Sequence, residues 1–225
     1  MSLRSLAPAL IFVACGHETP PPAAPPRTTE AKAPAAPVPR QTLAPTRAFD
    51  IYLDGFLVTR SDHSIAIEAR RFCKAKNEDF MQCALFDGDA ADANLVGVEY
   101  IISERLYQKL SPEEQDSWHP RNYEITSGQL VMPGLPDAVE KAALATKLNT
   151  YAKTWHTWNS EHAELPVGDP ELMWSFNHDG ETPPQLIEKR DARLHIDTHV
   201  KRQERQDLVP EARPQNGEDL LQSRR

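Results

Sequence analysis

Proline is concentrated at the start of this chain, and this decides where a folded domain can begin. Ten of the 20 prolines lie within the first 45 residues. The segment from Thr19 to Pro45 has almost no large apolar side chain, so it buries too little surface to offset its conformational entropy. Its prolines favour extended polyproline II structure, at about 3.1 Å per residue. We therefore predict a disordered, semi-rigid tether over residues 15–45 and a folded domain from residue 46.

The first residues are typical of an exported protein. A basic Arg4 precedes a short apolar stretch, which predicts a signal peptide over residues 1–14. The tetrapeptide Phe12–Cys15 resembles the lipobox of bacterial lipoproteins, in which the cysteine becomes the acylated first residue. Phe12 stands where that pattern usually has Leu, and an ordinary secretory signal is the alternative.

The lipobox resemblance implies both a location and a membrane contact. Cys15 would carry two acyl chains such as palmitate, and two chains anchor a protein stably where one is only marginal. Lipoproteins retained in the inner membrane commonly have Asp after this cysteine, and Gly16 follows it here. The resemblance therefore implies an outer-membrane lipoprotein whose domain faces the periplasm or the exterior.

The charge of the chain bears on its partners. The first 45 residues hold four of the 25 basic and two of the 33 acidic residues, which leaves the remainder with an excess of ten acidic residues. Binding to nucleic acid requires clustered Lys and Arg, as does docking on an anionic bilayer through a basic face. We therefore expect no nucleic-acid partner, and membrane contact only through the lipid. The sequence identifies no protein partner or small-molecule ligand.

Strand-like and helix-like patterns are mixed after residue 46 without regular βα alternation. This favours a single α+β domain over residues 46–207, with a mainly antiparallel sheet flanked by helices. The predicted strands cover Ser64–Cys73, Phe80–Phe86, Leu95–Ile102, Gln129–Met132, Thr154–Trp158 and Glu171–Phe176. The predicted helices are a short one ending near Gly55, two that follow Ser103 and Ser111, and two that begin at Pro136 and Pro183. Residues 208–225 are polar and are predicted to be a disordered tail.

Cys73 and Cys83 flank the turn of the predicted hairpin and lie opposite each other across it. In an exported compartment such a pair forms a disulfide if the two Cβ atoms face each other. The alternative is a pair of buried free thiols that behave as small apolar groups. The spacing does not match a zinc site, and we predict no metal.

Tryptophan and histidine occur together twice, once after the Ser111 helix and once on a predicted strand. An aromatic pocket with a titratable imidazole is a credible small-molecule site, and a carboxylate on the central strand would add an acid or a metal ligand. The alternative is ordinary core, with each imidazole satisfied by backbone groups. The candidate pocket residues are Glu99, Trp118, His119, Trp155, His156 and Trp158.

Several longer phrases carry a family resemblance. They are NEDFMQC, LVGVEYIISERLY, the Trp118–His119 pair, SGQLVMPGLP, KTWHTW, LPVGDPELM and LIEKRD, in this order. Together they resemble the oil body-associated protein family, a domain-of-unknown-function family, over roughly residues 49–204. Cytosolic members of that family carry the same cysteine pair, which tempers the disulfide prediction.

No catalytic residue follows from this resemblance, and no cofactor is predicted. The first functional hypothesis is a membrane-anchored lipoprotein that acts as a tethered binding or structural module of the cell envelope. The alternative is an enzyme or small-ligand-binding protein that uses the Trp/His pocket. The two hypotheses differ in geometry, because the second requires the candidate side chains to converge on an open cleft.

Overall fold

The structure is a computed structural model that describes residues 44–222. The predicted signal peptide, Cys15 and nearly all of the predicted tether lie outside the described residues. Within residues 44–222, every helix is too short or too polar to cross a bilayer.

Seven strands form one antiparallel sheet in the described part of the chain. They are β1 Ile51–Thr59, β2 Ala66–Asn77, β3 Phe80–Phe86, β4 Leu95–Ile102, β5 His119–Pro120, β6 Tyr151–His156 and β7 Glu171–Trp174. β4 pairs with both β3 and β6, and β7 pairs with both β6 and β1. Strands β1–β4, β6 and β7 therefore close into a barrel. The two-residue strand β5 pairs with the first two residues of β6.

The helices are short and lie between or after the strands. They are α1 Ala44–Arg47, α2 Glu104–Tyr107, α3 Pro112–Gln115, α4 Asn122–Thr126, α5 Asp137–Ala145, α6 Pro184–Leu194 and α7 Thr198–Glu204, followed by a 3₁₀ helix at Gln206–Glu211. The predicted mainly antiparallel sheet with accompanying helices is confirmed, whereas closure of the sheet into a barrel was not predicted. Ser103 and Ser111 cap α2 and α3 as their positions predicted, each accepting a hydrogen bond from a backbone N–H three residues later.

The main core fills the barrel interior. Leu53 and Leu57 of β1 point into it together with Cys73 and Leu85 from the neighbouring strands, and each of these side chains is fully buried. Burying one leucine contributes about 1.5–3 kcal/mol. Leu144 and Leu148, in and after α5, join the same cluster, so this helix packs on the barrel core.

β1 replaces the short helix predicted to end near Gly55. Phe49, Leu53 and Phe56 have helical spacing, which suggested the helix. In the structure both faces of this strand are buried: Leu53 faces the main core, and Phe56 faces a second cluster containing Trp174. A strand buried on both faces loses the polar–apolar alternation that identifies strands from sequence.

The β2–β3 hairpin is present as predicted, with Cys73 directly opposite Cys83. The structure joins the two cysteines by a disulfide, with 4.0 Å between their Cα atoms. Both cysteines lie in the main core and are almost inaccessible to solvent.

The C-terminal residues pack on the domain, where a disordered tail over residues 208–225 was predicted. Leu208 is buried in the main core and Leu221 in the second cluster. The side chain of Gln215 accepts hydrogen bonds from the two backbone N–H groups at the start of α4 and donates one to Thr150 O. Two leucines and one buried amide therefore hold a segment whose composition is otherwise polar. Residues 223–225 lie outside the described part.

Candidate functional site

The side chains predicted to form one pocket lie in four places. Glu99 and His119 are in the barrel interior, Trp118 and Trp155 line an outer groove, His156 is at one barrel end, and Trp158 packs against the main core. The structure thus brings Glu99 together with His119, and Trp118 together with Trp155, but it does not join these two pairs into a single cleft.

The interior site is built by strand alternation. Arg71 of β2, Glu99 of β4 and Thr154 of β6 all point inward, and each is 0% exposed. Arg71 Nε donates to Glu99 Oε2 over 2.8 Å, and Thr154 Oγ1 donates to the same oxygen over 2.7 Å. One carboxylate oxygen therefore ties together three strands of the barrel.

A second buried ion pair joins Arg121, which precedes α4, to Glu124 within this helix. Arg121 Nε donates to Glu124 Oε1 over 2.5 Å, within the first turn of α4. Arg71 Nη2 lies 3.7 Å from Glu124 Oε2, which is an ion-pair distance but too long for a hydrogen bond. Two arginines and two glutamates thus form one buried, charge-balanced cluster.

His119 extends this cluster through Thr154. Burial, reinforced by the two arginines and opposed by the two glutamates, lowers the pKa of His119 to about 4, so the ring is neutral at neutral pH. His119 Nε2 lies 3.2 Å from Thr154 Oγ1, and Nδ1 lies 3.3 Å from Pro120 O. Thr154 donates its only hydroxyl proton to Glu99, so its contact with His119 is a hydrogen bond in the tautomer that carries the proton on Nε2. A hydrogen-bond chain therefore runs from His119 to the carboxylate.

Glu99 is ionised inside the barrel. Burial disfavours the carboxylate, but Arg71, Arg121 and His119 outweigh that effect and lower the pKa of Glu99 to about 2. The neighbouring Glu99 and Glu124 charges and the Arg71–Glu99 hydrogen bond hold the pKa of Arg71 above its ordinary value, although burial opposes them. Each partner thus keeps the other charged.

The cluster has no route to a substrate in this conformation. Arg71, Glu99, His119, Arg121 and Glu124 are each at most 2% exposed. Five of their polar atoms have no hydrogen-bond partner within the described residues: Arg71 Nη2, Glu99 Oε1, Arg121 Nη1 and Nη2, and Glu124 Oε2. The cluster can fix strand positions and hold charge, but catalysis on an external molecule would require the barrel to open.

Trp118 and Trp155 line a shallow groove of about 650 Å³ on the outer face of β3, β4 and β6. Phe80, Tyr100, Leu106 and Leu110 provide most of the remaining wall, so the lining is largely apolar and aromatic. At the rim, Glu114 Oε1 accepts hydrogen bonds from Trp118 Nε1 over 2.9 Å and from Lys153 Nζ over 2.8 Å. The groove is therefore open, apolar along its wall and charged at its edge.

His156 lies apart from this groove and from the interior cluster. It lines a pocket of about 380 Å³ beside the ends of β2, β4 and β6, together with Glu68, Ser160 and His162. Burial lowers the pKa of His156, and the nearby Glu171 opposes the shift. Trp158 is partly buried, and its Nε1 donates to Ala163 O over 2.9 Å. No group of three His, Cys, Asp or Glu residues within 44–222 is arranged to hold a metal ion.

Comparison with known proteins gives the family. Residues 43–209 match the family model described as "Protein of unknown function (DUF1264)". The chain belongs to the DUF1264 family.

Relatives with a shared name support this assignment. Oil body-associated protein 2A of Arabidopsis thaliana is 40% identical over 161 residues, which cover 70% of this chain and 65% of that protein. Oil body-associated protein 2B of the same plant is 37% identical over 177 residues, 77% of this chain and 72% of the relative. Oil body-associated protein 2A of Zea mays is 35% identical over 181 residues, which cover 79% of this chain and 72% of that protein. The chain thus spans just under two thirds of the length of the first of these relatives. No solved structure matches this chain.

The family resemblance predicted from the sequence is confirmed, and its phrases map onto the site. LVGVEYIISERLY supplies β4 with Glu99, and the Trp118–His119 pair gives one residue to the groove and the next to the interior cluster. Sequence reasoning missed Arg71, Arg121 and Glu124. The signal that could have found Arg71 is strand alternation. Ile65, Ile67 and Ala69 occupy every second position, and Arg71 is the next position on that same apolar, inward face.

Proposed function

We propose that this DUF1264 protein is a lipid-anchored binding module of the cell envelope. The Phe12–Cys15 lipobox and the Pro/Ala-rich tether support acylation at Cys15, and Gly16 supports an outer-membrane position facing the periplasm or the exterior. The tether would hold the domain away from the bilayer while keeping it close enough to meet lipid.

The ligand in this proposal is the acyl part of a lipid, bound in the outer groove. The observation that carries it is the open, largely apolar groove of about 650 Å³ that contains Trp118 and Trp155. Aromatic side chains are favoured at lipid–water interfaces, and Tyr100 on the groove wall is exposed. Lys109 at the rim suits contact with lipid headgroups. The relatives are named for association with oil bodies, which agrees with a lipid ligand.

Acylation is tested with Cys15→Ser in cells labelled with a radioactive fatty acid. The variant should lose the label and leave the membrane fraction. The matched control is the double variant Cys73→Ser/Cys83→Ser, which should keep the label because both cysteines belong to the folded domain. A wild-type protein that takes up no label, or a label that survives Cys15→Ser, contradicts the anchor.

Groove binding is tested separately, with Cys15→Ser protein so that the anchor does not mask it. Partition onto phosphatidylcholine vesicles is measured by sedimentation, and contact by tryptophan quenching with brominated lipid. Trp155→Glu should weaken partition at least about tenfold, because a carboxylate in contact with acyl chains must be desolvated or protonated. Leu165→Glu is the control, since Leu165 is an exposed leucine outside the groove. Equal effects of the two variants would rule out the groove as the lipid site.

A further inference from the structure

The barrel end at the β2–β3 turn contains a concavity distinct from the groove and from the His156 pocket. Its volume is about 380 Å³, within the roughly 300–1,000 Å³ of ordinary small-molecule sites. Phe80, Met81, Ile101 and Ile102 form an apolar floor where β3 begins and β4 ends. Lys147, which follows α5, is the only basic residue in the described lining.

Lys147 is a half-buried ammonium group with no carboxylate partner within residues 44–222. Two acidic residues also line the pocket, and neither neutralises this lysine. Asp79 is engaged by Ser103 Oγ over 2.6 Å and by the Arg105 guanidinium. Glu78 is exposed at the rim. A half-buried cation beside an apolar floor is a position that an anionic ligand would stabilise.

The buried Arg121 guanidinium also acts electrostatically on Lys147. Arg121 is fully buried, and two of its three guanidinium nitrogens have no hydrogen-bond partner among the described residues. Burial is the main cause that lowers the pKa of Lys147, and repulsion from this guanidinium adds to it. An anion at Lys147 would relieve that repulsion.

The lining also limits the kind of anion. Phosphate sites usually offer several donors, such as arginine forks or successive backbone N–H groups, whereas a single ammonium acts as a point charge. The apolar floor has no counterpart on a small inorganic ion. We propose that this pocket binds an amphiphilic monoanion, a carboxylate on a short apolar chain, with the carboxylate at Lys147 and the chain against Phe80, Met81 and Ile101. The proposal does not rest on the groove or on acylation.

The test uses the full chain carrying Cys15→Ser and octanoate, an eight-carbon carboxylate, as the probe. NMR follows the methyl group of Met81, which lines this pocket, and the indole N–H of Trp155, which lines only the groove. Octanoate should shift the Met81 signal saturably, at concentrations that leave the Trp155 signal unchanged. 1-Octanol lacks the charge, and acetate and inorganic phosphate lack the chain; each should bind at least about tenfold more weakly, equivalent to about 1.4 kcal/mol.

Variants assign the contacts. Lys147→Met should weaken octanoate binding at least about tenfold, and Lys147→Arg should retain most of it. Lys76→Met is the matched control, since Lys76 is exposed at the same barrel end and outside the pocket lining. Ala75→Phe should block the pocket without changing any charge, because Ala75 lines it from a strand that tolerates aromatic residues.

Four results would overturn the proposal. Octanol binding as tightly as octanoate would remove the role of the charge. Phosphate or acetate binding as tightly would remove the role of the chain. Equal effects of Lys147→Met and Lys76→Met, or an unchanged Met81 signal at saturating octanoate, would place any binding elsewhere.

Discussion

The charge pair at the centre of the barrel gives a sharp prediction for Glu99→Gln. This change keeps the shape of the side chain but leaves the buried Arg71 guanidinium without its 2.8 Å carboxylate partner. Removing one partner of a buried pair costs about 3–5 kcal/mol, because the remaining charge stays desolvated. The pKa of Glu99 gives a similar size: the difference between its ordinary 4.5 and about 2 corresponds to about 3 kcal/mol.

The same pKa fixes how the loss depends on pH. Because the folded pKa of Glu99 is depressed, its contribution is fully present above the unfolded value near 4.5 and is lost as pH falls toward about 2. Protonated glutamate and glutamine are both neutral and similar in shape. The difference in stability between the wild type and Glu99→Gln should therefore be largest above about pH 5 and shrink toward pH 2.

Denaturant unfolding at several pH values measures this difference. At neutral pH the melting temperature should fall by about 6–20 °C, since 1 kcal/mol shifts it by about 2–4 °C in a domain of this size. Glu78→Gln is the control, because Glu78 is exposed and should change stability little. If Glu99→Gln does not fold, Arg71→Met/Glu99→Leu replaces the whole pair with apolar groups and should fold near wild-type stability. A loss below about 1 kcal/mol, or one equal to that of Glu78→Gln, would refute this account of the cluster.

Three further predictions each concern one residue. Burial lowers the pKa of His119 to about 4, so between about pH 6.5 and 4 the unfolded chain binds a proton that the folded chain does not. As pH falls through that range, the free energy of unfolding of the wild type should therefore decrease more than that of His119→Asn in denaturant titrations. Gly217 has φ +87° and an added Cβ would lie 2.6 Å from the Trp174 ring, so Gly217→Ala should lower the melting temperature more than Gly180→Ala, whose φ is +80° with no atom within 4 Å. Arg205 Nη1 donates to the carbonyls of Ile125 and Leu130, so Arg205→Met should cost about 2–4 kcal/mol in chemical unfolding, whereas Arg213→Met, at an exposed salt bridge, should cost less than about 1 kcal/mol.

The parts of the fold that could be predicted from sequence are those set by local patterns. Alternation identified the hairpin of β2 and β3, and serine caps located α2 and α3. Closure of the sheet depends on pairing between β4 and β6, whose partners lie 49 (Ile102 and Tyr151) to 59 (Gly97 and His156) residues apart, and no local pattern encodes that contact. β1 was assigned to a helix for the related reason that tertiary packing buries both of its faces.

The candidate site shows the same division. Trp118 and His119 are adjacent in sequence, yet one faces the outer groove and the other the barrel interior, because successive side chains point to opposite sides of extended backbone. Their joint occurrence therefore identified two sites rather than one. Arg121 and Glu124 could not be predicted as site residues from the sequence. The helix α4 is only five residues long, and no side-chain N-cap marks its start. Only the folded barrel shows that these charges meet Arg71.

The two proposed ligand sites share one wall, and this makes them separable. Phe80 lines both the outer groove and the Lys147 pocket, whereas Trp155 lines only the groove and Lys147 only the pocket. Trp155→Glu and Lys147→Met have no shared contact in either lining, so each should impair one probe and leave binding of the other unchanged. Phe80→Ala should weaken lipid partition and octanoate binding together. If it weakened only one of them, the unaffected ligand would have to bind away from Phe80.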